Sequence, residues 1–307
     1  MPDYSFLIPL SDRRPYLQFV VSLLLLLLFS LSGILLTILS SWLIFGIAPG
    51  ELNMDMLTGN GKHIAYFKFL QAFQHIFVFL IPSLVIAWFM NRKALNYIGA
   101  DRNPGAGNII LSVLFIIFLV PLTSYLGWLN QGIEIPDSLG GLETWMQEKE
   151  LRAENLTRAL INTGTTGGLL VNLLILSLVP AFGEEFLFRG VFQQIFRAWT
   201  RSGNAAVIIT AIIFSFMHFQ FFGFLPRLIL GLSFGYMFLW TGNIWLPVTA
   251  HAVNNAIPVI GSWLRSWDEI NTSVNEYSSA DGYFAVIPSI VALAILLYFR
   301  RRGSAKN

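Results

Sequence analysis

Apolar residues along this chain fall into eight long runs, at about 16–47, 64–91, 108–128, 168–198, 204–222, 226–241, 244–260 and 282–299. Each reaches or approaches the ~20 residues a helix needs to cross a hydrocarbon core of about 30 Å. The sixth and seventh runs are separated only by Gly242-Asn243, which predicts a tight turn. The pattern predicts an all-α polytopic membrane protein, a bundle of about eight transmembrane helices. Between the third and fourth runs the periodicity changes. From Ser138 to Ile161, Leu142, Trp145, Met146, Leu156, Ala159 and Leu160 recur largely at i, i+3, i+4 among charged neighbours. That spacing predicts an amphipathic helix lying in the membrane interface over the outer mouth of the bundle, where it forms a cap. Thr163 to Gly168 then supply a flexible joint.

Composition supports the same class. Of 307 residues 55% are hydrophobic and 12% charged, about half the charged share of an average soluble domain. The first run is too long for a signal-peptide core and has no small-x-small cleavage site, so it is expected to remain as a span. Without cysteine, a disulfide framework, a thiolate nucleophile and Cys-ligated zinc are excluded. A net charge of +2 gives no reason to expect nucleic acid as a partner, because the basic residues sit at the ends of apolar runs. Their distribution is informative instead. With eight spans, one side collects Arg13, Arg14, Arg92, Lys93, Arg102, Arg197, Arg201, Arg300, Arg301, Arg302 and Lys306. The other collects six basic residues in longer loops that also carry many acids. The positive-inside rule then predicts a multi-pass protein of the plasma (inner) membrane with both termini cytoplasmic.

The polar residues inside the runs are the candidate chemistry. Gly183-Glu184-Glu185-Phe186-Leu187-Phe188-Arg189-Gly190 places two carboxylates and a guanidinium in an apolar setting. An ionised side chain near mid-bilayer costs roughly 2.5–3.5 kcal/mol on insertion scales, so such residues mark function. Glu185 and Arg189, four apart with the acid first, predict a helical ion pair. Glu184 points about 100° away and needs a partner from another span. His218 ends the fifth run, and His251 shares a helix face with Asn255 in the seventh. By depth, Glu184 lies about 15 residues, roughly 22 Å, from Trp199, and His218 lies roughly 21 Å from Asn204, so the two can meet. His63, at a loop edge, and His75, with no acid beside it in its own run, read as structural. Gly231-Leu232-Ser233-Phe234-Gly235 matches the nucleophile-elbow pattern but lies within a helical run, where two glycines four apart predict a close helix contact. No His-Glu-x-x-His occurs.

Glu184, Glu185 and Arg189, then Phe214 and His218, then His251 and Asn255, each group in a separate run, resemble the motifs of the CPBP family. These are intramembrane proteases of the CAAX-prenyl-protease and bacteriocin-processing (ABI) type. The approach from Gly235 to His251 is also similar to the family's. The resemblance covers about 168–260 and divides the chain into 1–167 (three spans and the amphipathic loop), 168–260 (the catalytic core spans) and 261–307 (loop, last span and basic tail). It implies an endopeptidase acting on membrane-associated peptides, prenylated or leader-type, in a conical cavity entered from the cytoplasm. On this reading Glu184 is general base on a water, with His218 assisting. His251 and Asn255 stabilise the oxyanion, and Glu185 with Arg189 hold the helix. No cofactor is required on the favoured reading; a metalloprotease variant would set zinc on His218, His251 and a carboxylate. Rival readings are a non-catalytic scaffold or bacteriocin-immunity protein using the same polar cavity, and a proton-coupled transporter.

Overall fold

The computed structural model describes residues 10–47, 61–265 and 283–304, and among them every element is helical. α1 (Pro15–Phe45) is the first span. α2 (Gly61–Gln74) passes through a π turn at His75–Leu80 into α3 (Ile81–Met90). The short α4 (Ala94–Tyr97) precedes α5 (Ala106–Gln131). The amphipathic segment is helical as α6 (Gly140–Ile161). The fourth span is one 35-residue rod: α7 (Thr166–Asn172), a π turn at Leu173–Leu178, α8 (Val179–Leu187), a π turn at Phe188–Phe192, and α9 (Gln193–Thr200). α10 (Gly203–Phe216), α11 (Phe224–Thr241), α12 (Trp245–Leu264) and α13 (Tyr283–Ser304) complete the bundle. Among the described residues, five helices are long and apolar enough to cross a membrane by length and composition: Pro15–Phe45, His63–Met90, Ala106–Gln131, Thr166–Thr200 and Phe221–Thr241. α10, α12 and α13 coincide with the remaining three apolar runs. Exposed Leu24, Leu28, Leu35 and Leu43 on α1 suit contact with acyl chains.

Two of the π turns have a cause in the sequence. Pro82 and Pro180 each follow such a turn by two residues. Proline lacks an N–H and its ring clashes with the carbonyl four residues back, so the preceding turn widens. Gly183 is where these two rods touch: a Cβ there would lie 2.9 Å from Phe79 Cβ and 3.3 Å from the His75 carbonyl oxygen. Glycine is therefore required by the close approach of the two backbones.

The fifth run, read as 204–222, stops being helical at Phe216. Phe219 takes a left-handed φ of 51° and the chain reverses through a 3₁₀ turn at Phe221–Gly223. α10 has 14 residues, about 21 Å of rise, and falls short of a hydrocarbon core of about 30 Å. Its turn therefore ends inside the membrane's depth, where irregular backbone must find protein partners. It finds several. Asn130 Nδ2 donates to the Phe221 carbonyl at 3.0 Å, and Leu225 N donates to Asn130 Oδ1 at 2.8 Å. Ser215 Oγ donates to the Phe224 carbonyl at 2.7 Å. Alternation of the spans puts the start of α1, the α3–α5 connection, the α9–α10 and α11–α12 turns and the end of α13 on one face, the termini face. α6 and the 216–224 turn belong to the other half.

Candidate active site

The site is assembled around the fourth span, where α8 contributes two adjacent carboxylates that face different partners. Arg189 is fully buried, and its Nη1 donates to Glu185 Oε1 at 2.8 Å. Its Nη2 donates to the Gly231 carbonyl at 3.1 Å, and the guanidinium lies over the rings of Phe214 and Phe234. Gln193 Nε2 likewise donates to the Gly235 carbonyl at 3.0 Å. Gly231 and Gly235 are thus the points where α11 packs closely on α10 and the fourth span, and Ser233 between them lies buried within a helix. That geometry is not a nucleophile elbow.

Glu185 also accepts from His251 Nδ1 at 2.7 Å, while the His251 ring stacks on Phe234 at 5.4 Å between centroids. An ionised carboxylate only accepts, so the Nδ1 position carries the hydrogen. His251 Nε2 is directed to Glu184 Oε2 at 3.8 Å. The other Glu184 oxygen, Oε1, lies 3.2 Å from Nε2 of His75. His75 Nδ1 donates to the Gln71 carbonyl at 2.9 Å, so its Nε2 shares one proton with Glu184.

The pairing corrects the sequence reading. His75 has no acid beside it in its own run and reads there as structural, yet it is the hydrogen-bond partner that Glu184 lacks within α8. The acid comes from 109 residues away, so no inspection of one span can find it. The available signal is Pro82, whose π turn rotates His75 toward α8. His63, in the first turns of α2, does not line the cavity.

Glu184, His75, His218 and Asn255 border one cavity of about 460 Å³. His218 does not bond Glu184 directly. Its Nδ1 donates to the Phe214 carbonyl at 2.9 Å, which leaves Nε2 for the cavity. Asn255 lines the cavity but His251, four residues earlier, does not, because Glu185 and Phe234 hold its ring deeper in the bundle. The shared helix face therefore does not bring the two side chains to one wall. Leu156 and Leu160 of α6, and Phe188 one turn after Glu184, also line the cavity.

α6 is held over the cavity by polar contacts that the sequence reading missed. Gln220 Nε2 donates to Glu150 Oε1 at 3.2 Å. Arg227 Nη1 and Nη2 donate to the Gln220 carbonyl and Oε1 at 2.8 and 2.7 Å. Trp145 meets the Phe221 ring at 5.4 Å between centroids. Burial pushes the Glu150 carboxyl above its ordinary range, although Arg227 and the Gln220 amide pull the other way. Because Gln220 is two residues beyond His218, this network also fixes the turn that carries His218.

As for zinc, among the described residues no group of three or more His, Asp or Glu side chains is arranged to hold a metal ion. Glu184 pairs with His75 and Glu185 with His251, while His251 Nε2 also approaches Glu184 at 3.8 Å. The chemistry below is derived from protein groups.

A polytopic helical bundle with a buried carboxylate–imidazole cluster defines the class, and comparison with known proteins narrows it. Residues 166–257 match the family model Rce1-like, described as type II CAAX prenyl endopeptidase Rce1-like. The segment that carries the site is thus similar to the CPBP-type CAAX endopeptidases. It is also 37% identical over 90 residues to the "Uncharacterized protein YpbD" of Bacillus subtilis (strain 168), a match covering 28% of this chain and 43% of that protein. The chain thus spans less than half the length of that relative. No solved structure matches.

Proposed function

We propose that this protein is an intramembrane endopeptidase in which Glu184 activates a water for attack on a peptide carbonyl. The observation that carries this reading is the Glu184–His75 pair at 3.2 Å, buried yet bordering a cavity that His218 and Asn255 also line. As the water oxygen bonds to the carbonyl carbon, its proton passes to the Glu184–His75 pair. As the C–N bond breaks, that proton goes to the leaving amine. His218 Nε2 orients the water. Asn255 donates to the oxyanion, a placement effective where bulk water is scarce. His251, oriented by Glu185, lies 3.8 Å from the second Glu184 oxygen, which has no hydrogen-bond partner and is the one free to take the water's proton. The apolar residues lining the cavity suit a membrane-associated peptide; the match of 166–257 to a CAAX prenyl endopeptidase model supports the reaction class and leaves the substrate to experiment.

The test is cleavage of a mixed membrane-peptide library in liposomes. Glu184→Gln and His218→Ala should lose activity by about 10²–10⁴-fold, the usual worth of general acid–base catalysis. Wild-type activity should survive a strong chelator. Loss on chelation that zinc restores would replace the glutamate mechanism with a metal-dependent one. No cleavage by wild type, with all variants retaining the cellular phenotype, would instead support a scaffold.

A further inference from the structure

The charge pattern and the family resemblance lead to opposite expectations about the entrance. The first puts the termini in the cytoplasm, and the second puts the entrance there. The structure makes these mutually exclusive. In the second span the cavity is bordered by Gln71, Gln74 and His75, in the half nearer α2's start, and by Phe79 just past the middle. In α12 it is bordered by Asn255, Pro258 and Val259, in the half away from the termini face. Its remaining walls include α6 and the turn at Met217 and His218. Below Glu184 the fourth span is sealed: Leu187, Phe188, Arg189, Val191, Phe192 and Ile195 are all buried, and Gly190 is pressed against Ile98. The cavity therefore opens away from the termini.

The termini face is the basic one. Among the described residues it carries Arg13, Arg14, Arg92, Lys93, Arg102, Arg197, Arg201, Arg300, Arg301 and Arg302 against Asp12 and Asp101. The opposite face carries Lys62, Lys149, Arg152, Arg158, Arg227 and Arg265, with six acids in residues 129–165 alone. Short basic connections stay in the cytoplasm, and an excess of this size governs orientation.

We infer that the cavity opens to the extracytoplasmic side, and that its substrates are peptides anchored in or delivered to the membrane from outside, such as exported leaders or exposed ends of membrane segments. A lipidated tail of a cytoplasmic protein could not reach Glu184. The choice of substrate rests on the proteolytic reading above, whereas the side of the cavity does not.

The absence of native cysteine makes the test direct. Thr157→Cys places one thiol at the cavity wall on α6, and Ala198→Cys places one at the exposed end of α9 on the basic face. A membrane-impermeant maleimide is applied to intact cells expressing each full-length variant, and again after lysis. Thr157→Cys should label in intact cells, and Ala198→Cys only after lysis; the reverse pattern overturns the inference while leaving the protease reading intact. In a second arm the peptide library is added outside sealed vesicles of each orientation. Cleavage confined to right-side-out vesicles supports the inference, and cleavage confined to inside-out vesicles overturns it. Labelling as expected with no cleavage from either side rejects the protease reading and upholds the side assignment.

Discussion

At the level of single residues, the two adjacent glutamates have different work, and substitutions should separate them. Glu185 is the counter-charge of a wholly buried guanidinium. Removing one partner of such a pair costs about 3–5 kcal/mol, because the other charge stays buried. Glu185→Gln should therefore lower the thermal unfolding midpoint in detergent, and Arg189→Met in the same chain should recover part of that stability without restoring cleavage. An unchanged midpoint for Glu185→Gln would show that the pair is not what holds the fourth span to α11. Glu184→Gln should leave the midpoint nearly unchanged, since its partners are imidazoles that can be neutral. His75→Gln keeps a donor near Glu184 but cannot share its proton. We expect a loss of about 10²-fold in kcat/KM, at the low end of acid–base contributions, and one ionisation missing from the pH–rate profile. A profile unaltered in shape would reduce His75 to packing.

Between elements, the decisive contact is that of α8 with the π turn of the second span. Gly183→Ala would drive a Cβ into Phe79 and the His75 carbonyl. Overpacking of this kind costs about 1–3 kcal/mol, and here it separates His75 from Glu184. Helical content should be retained by circular dichroism while cleavage falls; full activity would mean that the two rods can slide apart without consequence. The α6 clamp has its own pH signature. Because the Glu150 carboxyl is raised when α6 is docked, the docked state binds more protons than the undocked one between the ordinary carboxylate value and the raised one. Docking should weaken as pH rises through that window, and Glu150→Gln should abolish the slope. Amide exchange along 145–158 across pH 4 to 8 measures both; a slope that survives in the variant would assign it to another group. These contacts also mark where reading the sequence stops. The eight helical runs, α6 and the Glu185–Arg189 pair were legible, because periodicity and i, i+4 spacing are properties within one segment. The Glu184–His75 pair, the separation of His251 from Asn255 and the Glu150–Gln220–Arg227 clamp were not. They depend on how π turns rotate one rod against another, and on a hairpin ending early at Phe216. Pro82 and Pro180 hint at the rotation, but helical-wheel arithmetic assumes an unbroken 100° per residue.

On the scale of the whole molecule, the bundle is built from spans of unequal length, and the site exploits the difference. The fourth span has 35 residues and α10 has 14, about 52 Å against about 21 Å of rise. The short hairpin leaves a gap of roughly 9 Å below a 30 Å hydrocarbon boundary, and His218 sits where that gap begins. α6 covers it from the interface, with exposed Leu142 and Leu151 able to enter the headgroup region. Bilayer thickness then decides whether the mouth meets interfacial water or acyl chains. Mismatch costs fractions of a kcal/mol per Å, so a core about 5 Å thicker should disfavour the open, wetted mouth by about 1–2 kcal/mol. We expect kcat/KM for a membrane peptide to fall by about tenfold between short-chain and long-chain phosphatidylcholine vesicles. The thermal midpoint should barely move, because the buried cluster around Glu185 and Arg189 lies away from the mouth. Equal activity in both vesicles would mean that α6 seals the cavity from lipid completely, and that substrate enters through water alone.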